Sequence, residues 1–388
     1  VNYNQSTEAH MGKVVKMKEA KQPKAGKLST SDMRKMINKT AGMNVAHNLK
    51  EDNPTAVTDW IPTGSRWLDS IICKGKMAGI PVGKVTEIAG LSASGKSFMA
   101  TQIAANAQKM GFTVVYFDAE SSIDPSFLER SGINLKDLLY VQAVSVEKTL
   151  GQIESLLANF PENQFLFIWD SIAATAAEKD IEGDFNPQSS MAVKPRIFAK
   201  AFPKLTIPIA NTKSAVVLIN QLKTNITSNI AEAMTTPFIA PGGKAIEYFC
   251  SLRIWLTRRK AKASYVENDK GFRVGSETKA KIEKSRFGTY GRTCTFKILW
   301  GDDVGIQDEE SWFEAIKLSG TDRMKRSGAW YTICDAKGKE YKFQAAKWTE
   351  QLQDPKFRKI VYDIMDKEII DKYEDDGSDI DIDPPSKS

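Results

Sequence analysis

The sequence predicts an α/β protein with a mostly parallel central sheet, helices on both faces and a small α/β lobe at the C-terminal side. Three observations carry that expectation. Short unbroken apolar runs, VTEIA (85–89), FLFIW (165–169) and AVVLIN (215–220), read as strands buried on both faces. Helical periods lie between such runs: in VEKTLGQIESLLANF, Leu150, Ile153 and Leu157 share one face. The first run passes through a glycine turn into a helix, GLSASGKSFMATQIAANAQ, the opening unit of a phosphate-binding core.

Taken in order, residues 1–30 form a basic N-terminus with no hydrophobic period, expected to be disordered. Residues 31–58 are assigned as a helical oligomerisation segment and linker. There SDMRKMINKTAG sets Met33, Met36 and Ile37 at helical spacing and Gly42 stops the helix. With no core of its own, that helix must dock elsewhere. Residues 59–305 form the core. WIPTGSRWLDSII enters it, Lys96–Met110 is a helix, TVVYFDAE a strand and DPSFLERSG a helix. After Gly242 and Gly243 the pattern changes to consecutive strands: SLRIWLTRR, ETKAKIEKSR and CTFKILW. Residues 306–370 are assigned to the C-terminal lobe and 371–388 to an acidic disordered tail.

Composition narrows the chemistry. The 388 residues are 41% hydrophobic, and no run reaches the ~18 apolar residues of a membrane span. The N-terminus lacks the apolar stretch of a secretory signal. Four scattered cysteines lack CxxC spacing, which argues against a zinc site or a disulfide framework and fits a reducing, cytoplasmic setting. His10 and His47 are the only histidines, both ahead of the core, so histidine acid–base chemistry is set aside. The net charge of +6 is unevenly spread. Residues 1–50 hold ten Lys or Arg against three acids, and Asp371–Asp383 holds seven acids against one lysine. A basic head and an acidic tail fit a chain that handles a polyanion and restrains its own access to it.

Gly90, Leu91, Ser92, Ala93, Ser94, Gly95, Lys96 and Ser97 match GxxxxGK[ST]. The glycines let backbone N–H groups close around phosphates, the helix N-terminus adds its dipole, Lys96 reaches the β/γ-phosphates and Ser97 offers a hydroxyl to Mg²⁺. ATP with Mg²⁺ is the expected ligand pair. Asp170, closing FLFIWD, is the second-strand carboxylate for the metal; the competing reading makes it the N-cap of a helix SIAATAAE. Glu120 closes the strand after the P-loop helix, where a carboxylate polarises an attacking water, and spacing alone leaves Asp118 open for the same task. Asn220 and Gln221 close AVVLIN, where a neutral amide can sense the γ-phosphate. The following LKTNITSNIAEAMTTPFIAPGGK is a long segment with lysines and glycines suited to a nucleic-acid backbone.

These residues together resemble the RecA family of DNA recombinases. WIPTGSRWLDSII, IPVGKVTEIAGLSASGKS, FDAESSIDP, WDSIAA, IEGD, LINQ, PGGKAIEYF, VGSETKAKIEKSR and SGAWYTI follow the family's order from about Trp60 to about Ala345. The resemblance implies that Glu120 activates water, Asp124 and Phe127 lie beside the adenine, and Gln221 couples the γ-phosphate to DNA. It implies that Lys284 and Arg286 of EKSR reach ATP in the neighbouring subunit. It further implies a first DNA-binding loop with Met191 near the bases and Arg196 on phosphate. The second would be Leu222–Lys244, with Lys223, Gly242, Gly243 and Lys244 on the backbone. The implied partners are single-stranded DNA, homologous duplex, further copies in a helical filament, a single-strand binding protein and a loader.

The sequence also departs from the family pattern. Pro203 stands where bacterial members carry a DNA-contacting arginine. The second loop is longer and lacks the wedging phenylalanine, leaving Ile226 and Ile230 as substitutes, and the two chain ends diverge. These departures fit the bacteriophage UvsX group at least as well as bacterial members. The expected function is ATP-dependent strand exchange in recombination and repair. A RecA-fold hexameric helicase is the alternative from another class, and a non-catalytic ATP switch a third.

Overall fold

The computed structural model describes residues 29–42, 44–51, 53–73, 77–121, 123–182, 193–225, 238–258, 264–301 and 304–370. The chain divides into two compact units, Val1–Pro54 and Thr55–Ser388. In the first, α1 (Thr30–Ala41) starts where the Ser29 side chain accepts the N–H of Asp32 and ends at Gly42, whose φ of 68° is left-handed. Met33, Met36 and Ile37 are exposed along it. The Asn38 side chain folds the following residues back onto the helix. Its Oδ1 accepts the N–H groups of Val45 and Ala46, and its Nδ2 donates to Asn44 Oδ1 and the Ala46 carbonyl.

The second unit opens with β1 (Trp60–Ile61) pairing β2 (Ile80–Pro81) around α2 (Arg66–Ile72). Then come β3 (Val85–Gly90), α3 (Lys96–Lys109), β4 (Thr113–Asp118), α4 (Pro125–Arg130), β5 (Leu138–Gln142), α5 (Val146–Asn159), β6 (Phe165–Asp170), α6 (Glu178–Glu182), α7 (Val193–Asn211) and β7 (Ala215–Gln221). The hairpin stem β8 (Lys223–Thr224) with β9 (Phe238–Ile239) leads to α8 (Gly243–Phe249). Strands β10 (Leu252–Arg258), β11 (Tyr265–Glu267), β12 (Arg273–Ser285), β13 (Thr293–Leu299) and β14 (Gly305–Gln307) complete a ten-stranded sheet. Its order is β14-β13-β12-β10-β3-β7-β6-β4-β5, with β11 on β12. From β10 to β5 all pairs are parallel, and from β10 to β14 all are antiparallel. A doubly covered, mostly parallel sheet is therefore present.

Alternation along the strands explains their unbroken apolar composition. Tyr116, Ile168, Val217 and Ile254 enter one layer with Met99 and Ile103 of α3, whereas Phe117, Phe167, Trp169 and Leu218 enter the other with Phe198 and Phe202 of α7. Burying each large side chain contributes about 1.5–3 kcal/mol, so both faces must be covered. α7 runs 19 residues despite Pro203 and Pro208, whose helix-breaking signal hides it in the sequence. Phe198, Phe202, Leu205 and Ile209 lie on one buried face and override that signal. SIAATAAE is not a continuous helix: Ser171–Ala174 is a turn and α6 starts at Glu178.

The C-terminal lobe comprises α9 (Glu309–Leu318), β15 (Met324–Ser327), β16 (Trp330–Cys334), β17 (Glu340–Gln344), α10 (Trp348–Gln351) and α11 (Pro355–Met365) around Trp312, Phe313, Phe343, Trp348 and Phe357. It joins the core through Asp308 and through the ion pair of Arg66 with Asp366 at 2.8 Å, next to a second buried carboxylate, Asp69, that braces the core's own entry segment. Asp308 accepts Ser65 Oγ and the Trp67 N–H at the start of α2, and Asp69 accepts the N–H and hydroxyl of Thr63. No helix among the described residues is long and apolar enough to cross a membrane.

Burial pushes the Asp69 carboxyl up to about 7 and that of Asp308 up to about 6, against the hydrogen bonds they accept. Both lie above the ~3.9 of an unfolded chain, so the folded state holds these protons more tightly. Their stabilising contribution is complete below about pH 4 and is lost as pH rises through about 7. Asp69→Asn keeps an oxygen for Thr63 and is expected to flatten the decline of the melting temperature between about pH 4 and about pH 7. Calorimetry across that range checks it, and parallel curves would contradict it.

Candidate ATPase site and DNA-facing segments

The carboxyl ends of β3, β7, β6 and β4 stand side by side, and each delivers one polar group. The loop from β3 turns at Ala93 (φ 58°) and Gly95 (φ 93°) before entering α3. Gly90 is required by space, against backbone, and Gly95 by its left-handed φ, which side chains rarely adopt. A Cβ on Gly95 would lie 2.2 Å from Ile298 Cδ1, and one on Gly90 would lie 2.5 Å from the Leu256 carbonyl oxygen. The start of α3 has neither a side-chain cap nor an acidic residue in its first turn. Its N–H groups and dipole therefore face the loop uncancelled. Ser94 Oγ is buried with no hydrogen-bond partner among the described residues.

Lys96 is buried and donates to the Leu91 carbonyl at 2.9 Å, closing the loop on itself. Burial lowers its pKa against the attraction of Asp170 and Glu120. Asp170 accepts hydrogen bonds from Ser97 and from the Tyr116 hydroxyl, the latter at 3.0 Å. Burial raises its pKa against those two bonds. An orphaned hydroxyl, an open helix N-terminus, a lysine and a hydroxyl–carboxylate pair fit a nucleotide triphosphate with Mg²⁺. Since no helix starts at Ser171, the capping alternative for Asp170 falls away.

Two carboxylates that spacing leaves equivalent are separated here. Asp118 is buried, takes the N–H groups of Glu120 and Ser121 at 2.9 Å each, and accepts Tyr140 Oη at 3.1 Å. Those bonds make Asp118 the brace of the turn that presents Glu120. Glu120 is exposed, and its Oε1 accepts Gln221 Nε2 at 3.0 Å and Ser171 Oγ at 3.2 Å. Tyr116 and Ser171 are contacts that the sequence does not single out, because their use depends on adjacent strands that are distant in sequence. Asp124 caps α4, accepting Ser126 N–H at 3.0 Å, and Phe127 packs on Phe98 with ring centroids 5.5 Å apart.

Lys284 is the penultimate residue of β12, and Arg286 follows the strand. Both cations cap the C-terminus of α8: Lys284 bonds the Glu247 and Tyr248 carbonyls, and Arg286 bonds Tyr248 at 2.9 Å. Of the residues expected to meet DNA, Met191 lies outside the described residues, as do Ile226 and Ile230. Arg196 lies in the first turns of α7. Lys223 stands on the β8–β9 stem, Gly242 (φ 103°) and Gly243 (φ 67°) start α8, and Lys244 is exposed on it. Lys194, absent from the sequence reading, donates to the Ala173 carbonyl at 3.0 Å and feels the charge of Lys223.

Glu120→Gln is expected to leave ATP affinity within a few-fold and to cut hydrolysis by about 10²-fold or more, as loss of a positioned base does. Nucleotide titration and phosphate release measure the two separately, and hydrolysis at the parent rate would assign the base elsewhere.

Comparison with known proteins agrees with this geometry. The family model described as the RecA N-terminal domain matches residues 28–306. Protein RecA of Symbiobacterium thermophilum is 30% identical over 328 residues, covering 84% of this chain and 88% of that protein. Protein RecA of Caldanaerobacter subterraneus subsp. tengcongensis is 30% identical over 342 residues, covering 87% and 92% respectively. Protein RecA of Methylococcus capsulatus is 32% identical over 275 residues, covering 71% and 74%. None of these matches favours a ring-forming helicase. The chain belongs to the RecA family and is an ATP-dependent DNA recombinase of recombination and repair.

Proposed function

We propose that the nucleotide acts as a clamp on DNA, set through the contact between Glu120 and Gln221. That contact carries the reading: the amide touches the carboxylate at 3.0 Å, and the chain beyond Gln221 leads at once into the second DNA-facing segment. ATP is the substrate; Ser97 and Asp170 would hold Mg²⁺, which would supply positive charge to offset that of the phosphates. The N–H groups of residues 91–97 and Lys96 bind and orient the phosphates. Glu120 accepts the proton of the attacking water while Asp118 fixes the turn that aims it. Asp124 and Phe127 border the adenine.

Gln221 has two options for its amide, the Glu120 carboxylate or a phosphate oxygen. Exchange between them moves the start of Leu222–Lys244, where Lys223, Gly242, Gly243 and Lys244 meet the DNA backbone. Met191 and Arg196 supply the second contact. Lys284 and Arg286 reach the nucleotide of the adjoining subunit, which ties hydrolysis to the filament, and α1 docks on a neighbouring core. Single-stranded DNA and homologous duplex are the polymer substrates, and a single-strand binding protein and a loader complete the partners. The cytoplasm is the proposed location, in keeping with Cys73, Cys250, Cys294 and Cys334 forming no disulfide.

Gln221→Ala is expected to bind ATP as the parent does and to lose most of the stimulation of hydrolysis by single-stranded DNA. Equal stimulation in both chains would refute the relay. Deleting the residues after Tyr373 removes six of the tail's acids, Glu374, Asp375, Asp376, Asp379, Asp381 and Asp383. Duplex affinity is expected to rise, most at low salt where the Debye length is longest; affinity unchanged at every ionic strength would rule out the tail as a competitor of DNA.

A further inference from the structure

One buried amide joins the strand end that carries Gln221 to the helix that holds Lys284 and Arg286. Asn220 is wholly buried on β7, one residue before Gln221. Its Nδ2 donates to Glu87 Oε1 and to the Pro241 carbonyl, each at 2.8 Å, and its Oδ1 accepts the Gln221 N–H at 3.0 Å. Glu87 is itself fully buried on β3 and is neutralised by Arg253 Nε of β10 at 2.5 Å. Asn220 of β7 and Arg253 of β10 thus converge on Glu87 of β3, and Asn220 also reaches out of the sheet to Pro241. Gly242 follows as the N-cap of α8, and the far end of α8 receives the two cations.

The chemistry of this position admits few alternatives. Both hydrogens of Nδ2 are committed to acceptors, so the amide orientation is fixed by its surroundings. An aspartate would set a second carboxylate against Glu87 and offer no donor to Pro241. A serine has one hydroxyl hydrogen and cannot serve both acceptors. The Glu87–Arg253 pair is already compensated, so the sheet's own charge balance does not require the bond to Pro241.

We infer that Asn220 is a positioning residue: its bond to the Pro241 carbonyl transmits a movement of the β7 end to α8 and through α8 to Lys284 and Arg286. The nucleotide contacted at Gln221 then governs the second DNA-facing segment at both of its ends. It also governs the cations that follow. This inference rests on the reading of Gln221 as the nucleotide-sensing group.

The test uses the full chain in two variants. Asn220→Ala removes all three bonds. The exchange Glu87→Gln with Asn220→Asp keeps the charge total and a hydrogen bond between positions 87 and 220, but leaves Pro241 without its donor. Both are expected to keep the KM for ATP within about twofold, and DNA stimulation of kcat should fall about tenfold, within the usual range of site-to-site coupling. An exchange variant that melts like the parent and is stimulated by DNA like the parent overturns the inference. A measurement on the unaltered chain stands beside it. Adding a non-hydrolysable ATP analogue without DNA should slow hydrogen exchange in α8 of the parent, and unchanged exchange there likewise overturns it. If Gln221→Ala remains stimulated by DNA, the underlying reading fails. If Gln221→Ala is uncoupled and the exchange variant is not, the tether alone fails.

Discussion

A parallel sheet sealed on both faces leaves its carboxyl edge as the place for polar chemistry, and the arrangement of this protein depends on that constraint. β3, β7, β6 and β4 fill both layers with apolar side chains until their last residues. At those ends Gly90 opens the phosphate loop, and polar side chains appear as Gln221, Asp170 and, two residues past β4, Glu120. Adjacency in the sheet brings together groups that lie from 30 to more than 100 positions apart in sequence. Neither the loop nor its partners has that property alone. The sheet supplies it.

The exceptions inside the sheet are as informative as the rule. Glu87 is a fully buried carboxylate, tolerated because Arg253 and Asn220 occupy its two oxygens. Asp118 is buried for another purpose: its Oδ1 holds the turn that carries Glu120 while its Oδ2 accepts the Tyr140 hydroxyl. Burial also raises the pKa of Asp170, while Ser97 and Tyr116 pull it back. Three acids within one strand length therefore have three environments and three tasks. The ion pair stiffens, the brace positions, and the third carboxylate is the one proposed to hold the metal.

Much of this was legible from the chain alone. The P-loop, the four core strands and the residues at their ends follow from apolar runs and local motifs, because period and glycine chemistry are sequence-local. The choice between Asp118 and Glu120 was not, since it turns on Tyr140 of a neighbouring strand and Gln221 of another. α7 was hidden by two prolines whose helix-breaking preference is outweighed by a buried aromatic face. β5 was missed because an edge strand with Leu139 and Tyr140 exposed lacks the buried alternation of its neighbours. The β8–β9 stem and α8 are short, and short elements depend on tertiary partners that a local sequence pattern does not contain.

The four hydrogen bonds around Asn38 carry a thermodynamic consequence of their own. They fold residues 44–46 against α1 using groups from the arm itself. A disordered arm would lose conformational entropy at the moment of docking, about 1–2 kcal/mol for each backbone residue fixed. Here part of that ordering is complete within the unit. On the proposed docking of α1 to a neighbouring core, the exposed Met33, Met36 and Ile37 stripe would arrive as a preorganised shape, leaving more of the area it buries as affinity.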